Sequence, residues 1–169
     1  MQITPARGFT FVELMLVLII MGIGVAIAVP RYSGLIQNYT LTNAARVVWL
    51  DMHRTRLRAI KQGTTMRVDI PPLSPTAYNP SLPNSACPYT TPSYVVQVNT
   101  AVVFCRNLSS NYPGMTVSIS NLPATSVSFG NTGTAGVPGG GTPTVQIQGT
   151  TGSKSFTILT STGRIGKIS

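Results

Sequence analysis

Residues 7–29 read Arg7-Gly8-Phe9-Thr10-Phe11-Val12-Glu13-Leu14-Met15-Leu16-Val17-Leu18-Ile19-Ile20-Met21-Gly22-Ile23-Gly24-Val25-Ala26-Ile27-Ala28-Val29. Leu14 to Val29 is an uncharged run of 16 residues, and Phe9 to Val29 spans 21. About 20 apolar helical residues cross roughly 30 Å of hydrocarbon. The stretch therefore predicts a membrane-spanning helix over residues 9–30. A secreted leader would end in small residues suited to cleavage. The run instead ends Ala28-Val29-Pro30-Arg31-Tyr32, a poor match. Glu13 is the anomaly, because a carboxylate within hydrocarbon is costly and rare, and is usually functional.

A cut between Gly8 and Phe9 gives Glu13 a purpose. It creates an α-amine four residues before the carboxylate, one helical turn away. When helices lie side by side, the amine of one copy can meet the carboxylate of the next. An unpaired charge there is expensive, whereas a matched pair fixes register.

Arg7-Gly8-Phe9-Thr10-Phe11-Val12-Glu13-Leu14-Met15 resembles the prepilin cleavage and methylation motif of type IV pilins and type II secretion pseudopilins. The resemblance implies that a membrane prepilin peptidase cuts after Gly8 and N-methylates Phe9, with Glu13 as the assembly carboxylate. It also implies a leader of residues 1–8. The short leader carries one basic residue, so it stays cytoplasmic under the positive-inside tendency. Everything beyond about residue 30 is then periplasmic, and later part of a pilus or pseudopilus.

Downstream, Pro30 removes an N–H from the helical ladder, and Gly22 and Gly24 weaken the same stretch. A bend or the membrane exit is expected there. Leu41, Ala44, Ala45, Val48, Met52, Ala59 and Ile60 then recur at helical spacing. This predicts an amphipathic continuation over residues 31–63, stopped by Gly63. Arg46, Arg54, Arg58 and Lys61 fall on its other face. That pattern fits a solvated face or a surface for acidic partners or phosphates.

Residues 64–169 read as a small β domain. Strands are expected at 65–70, 94–98, 101–104, 115–120, 125–129, 144–148, 155–160 and 164–168. Whether 94–104 is two strands or one bent strand is open from the sequence. Residues 71–93 form a Pro-rich irregular loop, and 130–143 a Gly/Thr-rich flexible one. The fold class is therefore α+β: a long N-terminal helix packed on a small antiparallel β domain.

The 169 residues hold 12 Lys and Arg, three Asp and Glu, one His and two Cys, for a net charge of +9. Removal of residues 1–8 leaves +8. Charged residues make up 9%, against about 25% in an average chain. So few acids, with a lone His53, leave little material for catalysis, and neither an enzyme nor a cofactor is expected. Cys87 and Cys105 in an exported chain are expected to form a disulfide, worth about 3 kcal/mol in the chain-entropy account. Two thiols and a distant His53 do not make a metal site.

Asn43-Ala44-Ala45-Arg46, Arg58-Ala59-Ile60-Lys61-Gln62-Gly63, Val127-Ser128-Phe129-Gly130-Asn131-Thr132-Gly133 and Thr157 to Ile165 are similar to the GspH/FimT branch of minor pilins and minor pseudopilins. That resemblance implies other pilins as partners, in a helix bundle. Some members of the branch bind DNA through a basic C-terminal Gly-Arg motif. Here the tail is Gly163-Arg164-Ile165-Gly166-Lys167, so Lys154, Arg164 and Lys167 are the candidate DNA contacts, with Arg54 and Arg58 behind them. Arg164 matches that motif. The second basic residue is displaced and is a lysine, which lacks the bidentate fork. The alternative is that Gly163-Arg164 is a turn entering the last strand.

Overall fold

Helix α1 runs from Phe11 to Gln62, 52 residues. The structure is a computed structural model that describes residues 9–70, 87–89, 91–99, 101–120 and 125–169, with side chains except at Val29, Pro30, Arg31 and Ser33. Leader residues 1–8 and most of the Pro-rich loop 71–93 lie outside the described residues. The chain divides into two units, residues 1–37 and 38–169.

Both ends of α1 follow from local chemistry. Thr10 is the N-cap, its Oγ1 accepting the Glu13 N–H at 3.3 Å, which satisfies one of the donors a helix start leaves free. At the far end Gly63 has φ 64. The Gly63 N–H donates to Ile60 O and the Thr64 N–H to Ala59 O, the paired closure that a left-handed glycine permits. Between them the helix is continuous through Pro30. One proline deletes one ladder bond and leaves helical φ on both sides.

In the second unit, β1 (Met66–Asp69), β2 (Tyr94–Val98), β3 (Ala101–Arg106), the short helix α2 (Leu108–Asn111), β4 (Thr116–Ser120), β5 (Ser126–Phe129), β6 (Ala135–Gly136), β7 (Thr144–Gln148), β8 (Ser153–Leu159) and β9 (Arg164–Ile165) follow α1. They form a five-stranded sheet ordered β3-β2-β1-β5-β6 and a four-stranded sheet ordered β4-β7-β8-β9, antiparallel throughout. Residues 94–106 are two strands, with Asn99 at φ 55 in the connection and a register shift between Val96 and Gln97.

Three expectations need correction. Residues 130–143 are not uniformly flexible loop, because Ala135 and Gly136 pair with Phe129 and Ser128. The last strand is shorter than 164–168, although Ser155 and Ser169 still exchange backbone bonds beyond it. Ile60 lies outside the core at 43% exposure. Helix α2 carries no apolar period and depends on Asn107, whose side chain accepts from Ser109 N.

The core of this unit joins Leu41, Ala44, Ala45, Val48, Met52 and Ala59 of α1 to Val68, Val96, Phe129, Ile147, Phe156 and Ile158 of the sheets. Three alanines on the helix let it approach the strands closely. Each large side chain fully buried here contributes about 1.5–3 kcal/mol. Cys87 and Cys105 are joined, with Cα atoms 5.3 Å apart, which ties the end of the Pro-rich segment to β3.

Candidate functional site

In the first unit the apolar side chains from Phe9 to Ile27 are exposed. Phe11–Ala28 is an 18-residue window with mean hydropathy 2.7 and none of it buried within the protein. By length and composition it can cross a membrane. Glu13 sits in the first helical turn, where the helix macrodipole favours an acid. Thr10-Phe11-Val12-Glu13 also has the spacing of a capping box. The sequence reading passed over this signal. Phe9 stands one residue before the N-cap, so a terminus freed there lies at the mouth of the helix that carries Glu13.

The second unit holds a buried acid that the sequence reading missed. Asp51 is 3% exposed. Its Oδ2 accepts from Tyr94 Oη at 2.6 Å and from Arg106 Nε at 2.7 Å. Arg106 Nε also reaches Tyr94 Oη at 3.1 Å, and Arg54 Nη1 lies 3.4 Å from Asp51 Oδ1. Burial first, and the Asp51 charge second, push the Tyr94 hydroxyl well above the ordinary tyrosine range. Tyr94 is therefore a permanent donor. The signal was a charged residue at a core-facing position, three after Val48. On β1, Asp69 is fully buried, with its Oδ1 held by Arg67 Nε at 2.6 Å. Burial raises its pKa, partly offset by Arg67.

Arg56 is a staple. Its Nε donates to Gly133 O and its Nη2 to Thr162 O, both at 2.9 Å. Gly163 has φ 63, and a Cβ there would collide with the Gly133 carbonyl. The two glycine segments seen in the sequence are therefore packed on one another, and Gly163-Arg164 is the turn into β9. Gly163→Ala is expected to destabilise the protein by about 2 kcal/mol, through left-handed strain and the clash. Arg164→Ala, at an exposed position, should leave the denaturant midpoint unchanged.

Lys154 pairs with Ile147 and Arg164 with Leu159. Positions 154 and 159 of β8 are five apart, so they face opposite sides of the sheet. Lys167 instead lies with Arg46 and Ile168 around Trp49, whose Nε1 donates to Gly166 O at 2.8 Å. The three candidate DNA contacts thus do not share one face. No group of three metal-ligating side chains occurs among the described residues.

The His53 ring packs against Trp49 in a tilted contact, with ring centroids 4.1 Å apart, and its Nε2 is buried without a partner among the described residues. Burial lowers its pKa, and the Arg56 charge acts the same way. The folded chain therefore binds fewer protons than the unfolded chain as pH falls through about 6.5. Stability should fall with it. We expect the urea midpoint of the full chain in detergent to drop from about pH 7.5 to about 5.5. In His53→Gln, which removes the only histidine, the curve should be flat over that window.

Residues 4–29 match the family model for the prokaryotic N-terminal methylation motif. The crystal structure of the type IV minor pilin FimU of Pseudomonas aeruginosa superposes with a TM-score of 0.52. It covers 76% of this chain and 88% of that one at 14% identity. The fold is type IV pilin-like. No curated protein matches the chain in sequence. The long helix followed by antiparallel sheets is a pilin-like fold, and its N-terminal stretch is long and apolar enough to cross a membrane.

Proposed function

We propose that the chain is a minor subunit of a type IV pilus or of a type II secretion pseudopilus. Prepilin peptidase cuts after Gly8 and methylates Phe9. The mature chain waits in the inner membrane with its β domain in the periplasm. It then enters a filament beside other pilins, where the Phe9 amine pairs with the Glu13 carboxylate of a neighbour. One observation carries this reading: a methylation motif opens directly into a helix whose apolar side chains from Phe11 to Ile27 are exposed, and that helix continues into a pilin-like unit. The fold neighbour's place in a type IV pilus supports the pilus over the secretion system.

Sheared surface filaments test this. The chain should be recovered in them at low abundance, and a deletion should reduce piliation while leaving exoprotein secretion intact. Loss of secretion with normal pili would assign it to the pseudopilus, and loss of neither would overturn the proposal.

A second reading, DNA binding during uptake, is favoured by surface charge. The second unit holds ten basic side chains, and its two acids, Asp51 and Asp69, are both buried. A gel shift of the full chain with duplex DNA should show affinity that falls steeply with salt if this reading holds. Absence of affinity at low salt removes it.

A further inference from the structure

The chain has three acidic side chains. Glu13 lies in the apolar helix, and Asp51 and Asp69 are buried at 3% and 0% exposure. The second unit therefore exposes side-chain charge of one sign only. Along α1, Arg46, Leu50, Arg54, Leu57 and Lys61 are all exposed. At 3.6 residues per turn they fall within about 40° of one line. Leu50 and Leu57 are 44% and 63% exposed, two turns apart, with a cation before, between and after them.

Two open grooves flank this line. One, of about 430 Å³, is lined by Arg46, Trp49, Leu50, Lys167 and Ile168. The other, of about 270 Å³, is lined by Asp51, Arg54, Arg58, Phe104 and Arg106. The guanidiniums of the second groove are held in advance. Arg106 is fixed by Asp51 at 2.7 Å, and Arg58 lies over the Phe104 ring at 5.6 Å. Pre-ordered side chains lose less freedom on binding.

We propose that this face of α1 docks an acidic amphipathic segment of a different protein chain. The inference rests on the subunit reading above and names the neighbour's chemistry. Apolar anchors inside a charged rim are the anatomy of a protein interface, and an apolar face laid in a groove is how helices are recognised. A second copy of this chain does not fit. Its second unit has no exposed side-chain carboxylate to offer, and juxtaposed like charges are repelled. Nucleic acid would meet the cations but leave both leucines without apolar contact.

The test replaces Leu57 with a benzophenone amino acid in the full chain, expressed in cells that assemble the filament, and maps photo-adducts by mass spectrometry. The expected adduct joins position 57 to another protein through a segment richer in Asp and Glu than in Lys and Arg. Arg54→Glu with Lys61→Glu should cut its yield by about tenfold or more, while Arg54→Lys should keep it within about twofold. Lys61→Glu alone, which breaks no ion pair among the described residues, gives the same loss in smaller measure and guards against misfolding of the double variant. The same probe at Leu159, exposed on β8, should not give this adduct. An adduct to a second copy, to nucleic acid or to a basic segment overturns the proposal. So do an unchanged yield after charge reversal, the same adduct from position 159, or no adduct. Filament incorporation is scored in parallel: a failed adduct with the chain still in filaments sinks this inference alone.

Discussion

Glu13→Ala is expected to give a chain that is cut, methylated and inserted, yet nearly absent from filaments. Incorporation should fall by about two orders of magnitude, the scale on which an unpaired charge in apolar surroundings acts. The charge left over is the Phe9 amine of the neighbouring subunit. It would have to enter the helix bundle with no counter-charge, because Leu14 to Val29 supplies none. Glu13→Gln should fail similarly, since it keeps a polar group but not the charge. Quantitative blots of sheared filaments against membrane fractions read the effect. A Glu13→Ala chain recovered in filaments at parental level would remove the pairing from the account.

The second large effect is expected at Asp51. Asp51→Ala strands a partly buried guanidinium, Arg106, and leaves the Tyr94 hydroxyl without its acceptor. Removing one partner from a buried, hydrogen-bonded ion pair costs about 3–5 kcal/mol. Tyr94→Phe loses one neutral donor and should cost about 1–2 kcal/mol. Arg54→Ala should be close to neutral, because its side chain is 64% exposed and 3.4 Å from the acid, and exposed pairs contribute little. Denaturant unfolding of the full chain in detergent gives the order. A loss at Arg54 equal to that at Asp51 would contradict it. The same contact joins stability to the docking face, since Asp51 fixes Arg106 beneath the groove that Arg54 and Arg58 border.

The helix was the legible part. Its apolar run, its 3.6-residue pattern from Leu41 to Ala59 and the glycine stop are local signals, and the structure has the helix ending at Gln62. Strand positions were also readable, because alternation at 116–120 and 144–148 is local. What the sequence hid was pairing at a distance. Asp51, Tyr94 and Arg106 lie on α1, β2 and β3, and no short-range pattern announces that they meet. Arg56 reads as one more surface cation until Gly133 and Gly163 are folded beneath it. The helix runs on through Pro30, since a helix this long absorbs the loss of one ladder bond. The Gly163-Arg164 pair shows the same limit. Its glycine is explained by the φ of 63 and the Gly133 carbonyl, which no motif records.

Top-down mass spectrometry of the native protein from its own membranes tests the central claim most directly. The account predicts a chain that begins at Phe9 and is heavier by one methyl group, because only a freed and modified amine gives Glu13 a partner. A native mass that still includes residues 1–8 would contradict it, and Glu13 would then be an unpaired acid on a simple membrane anchor.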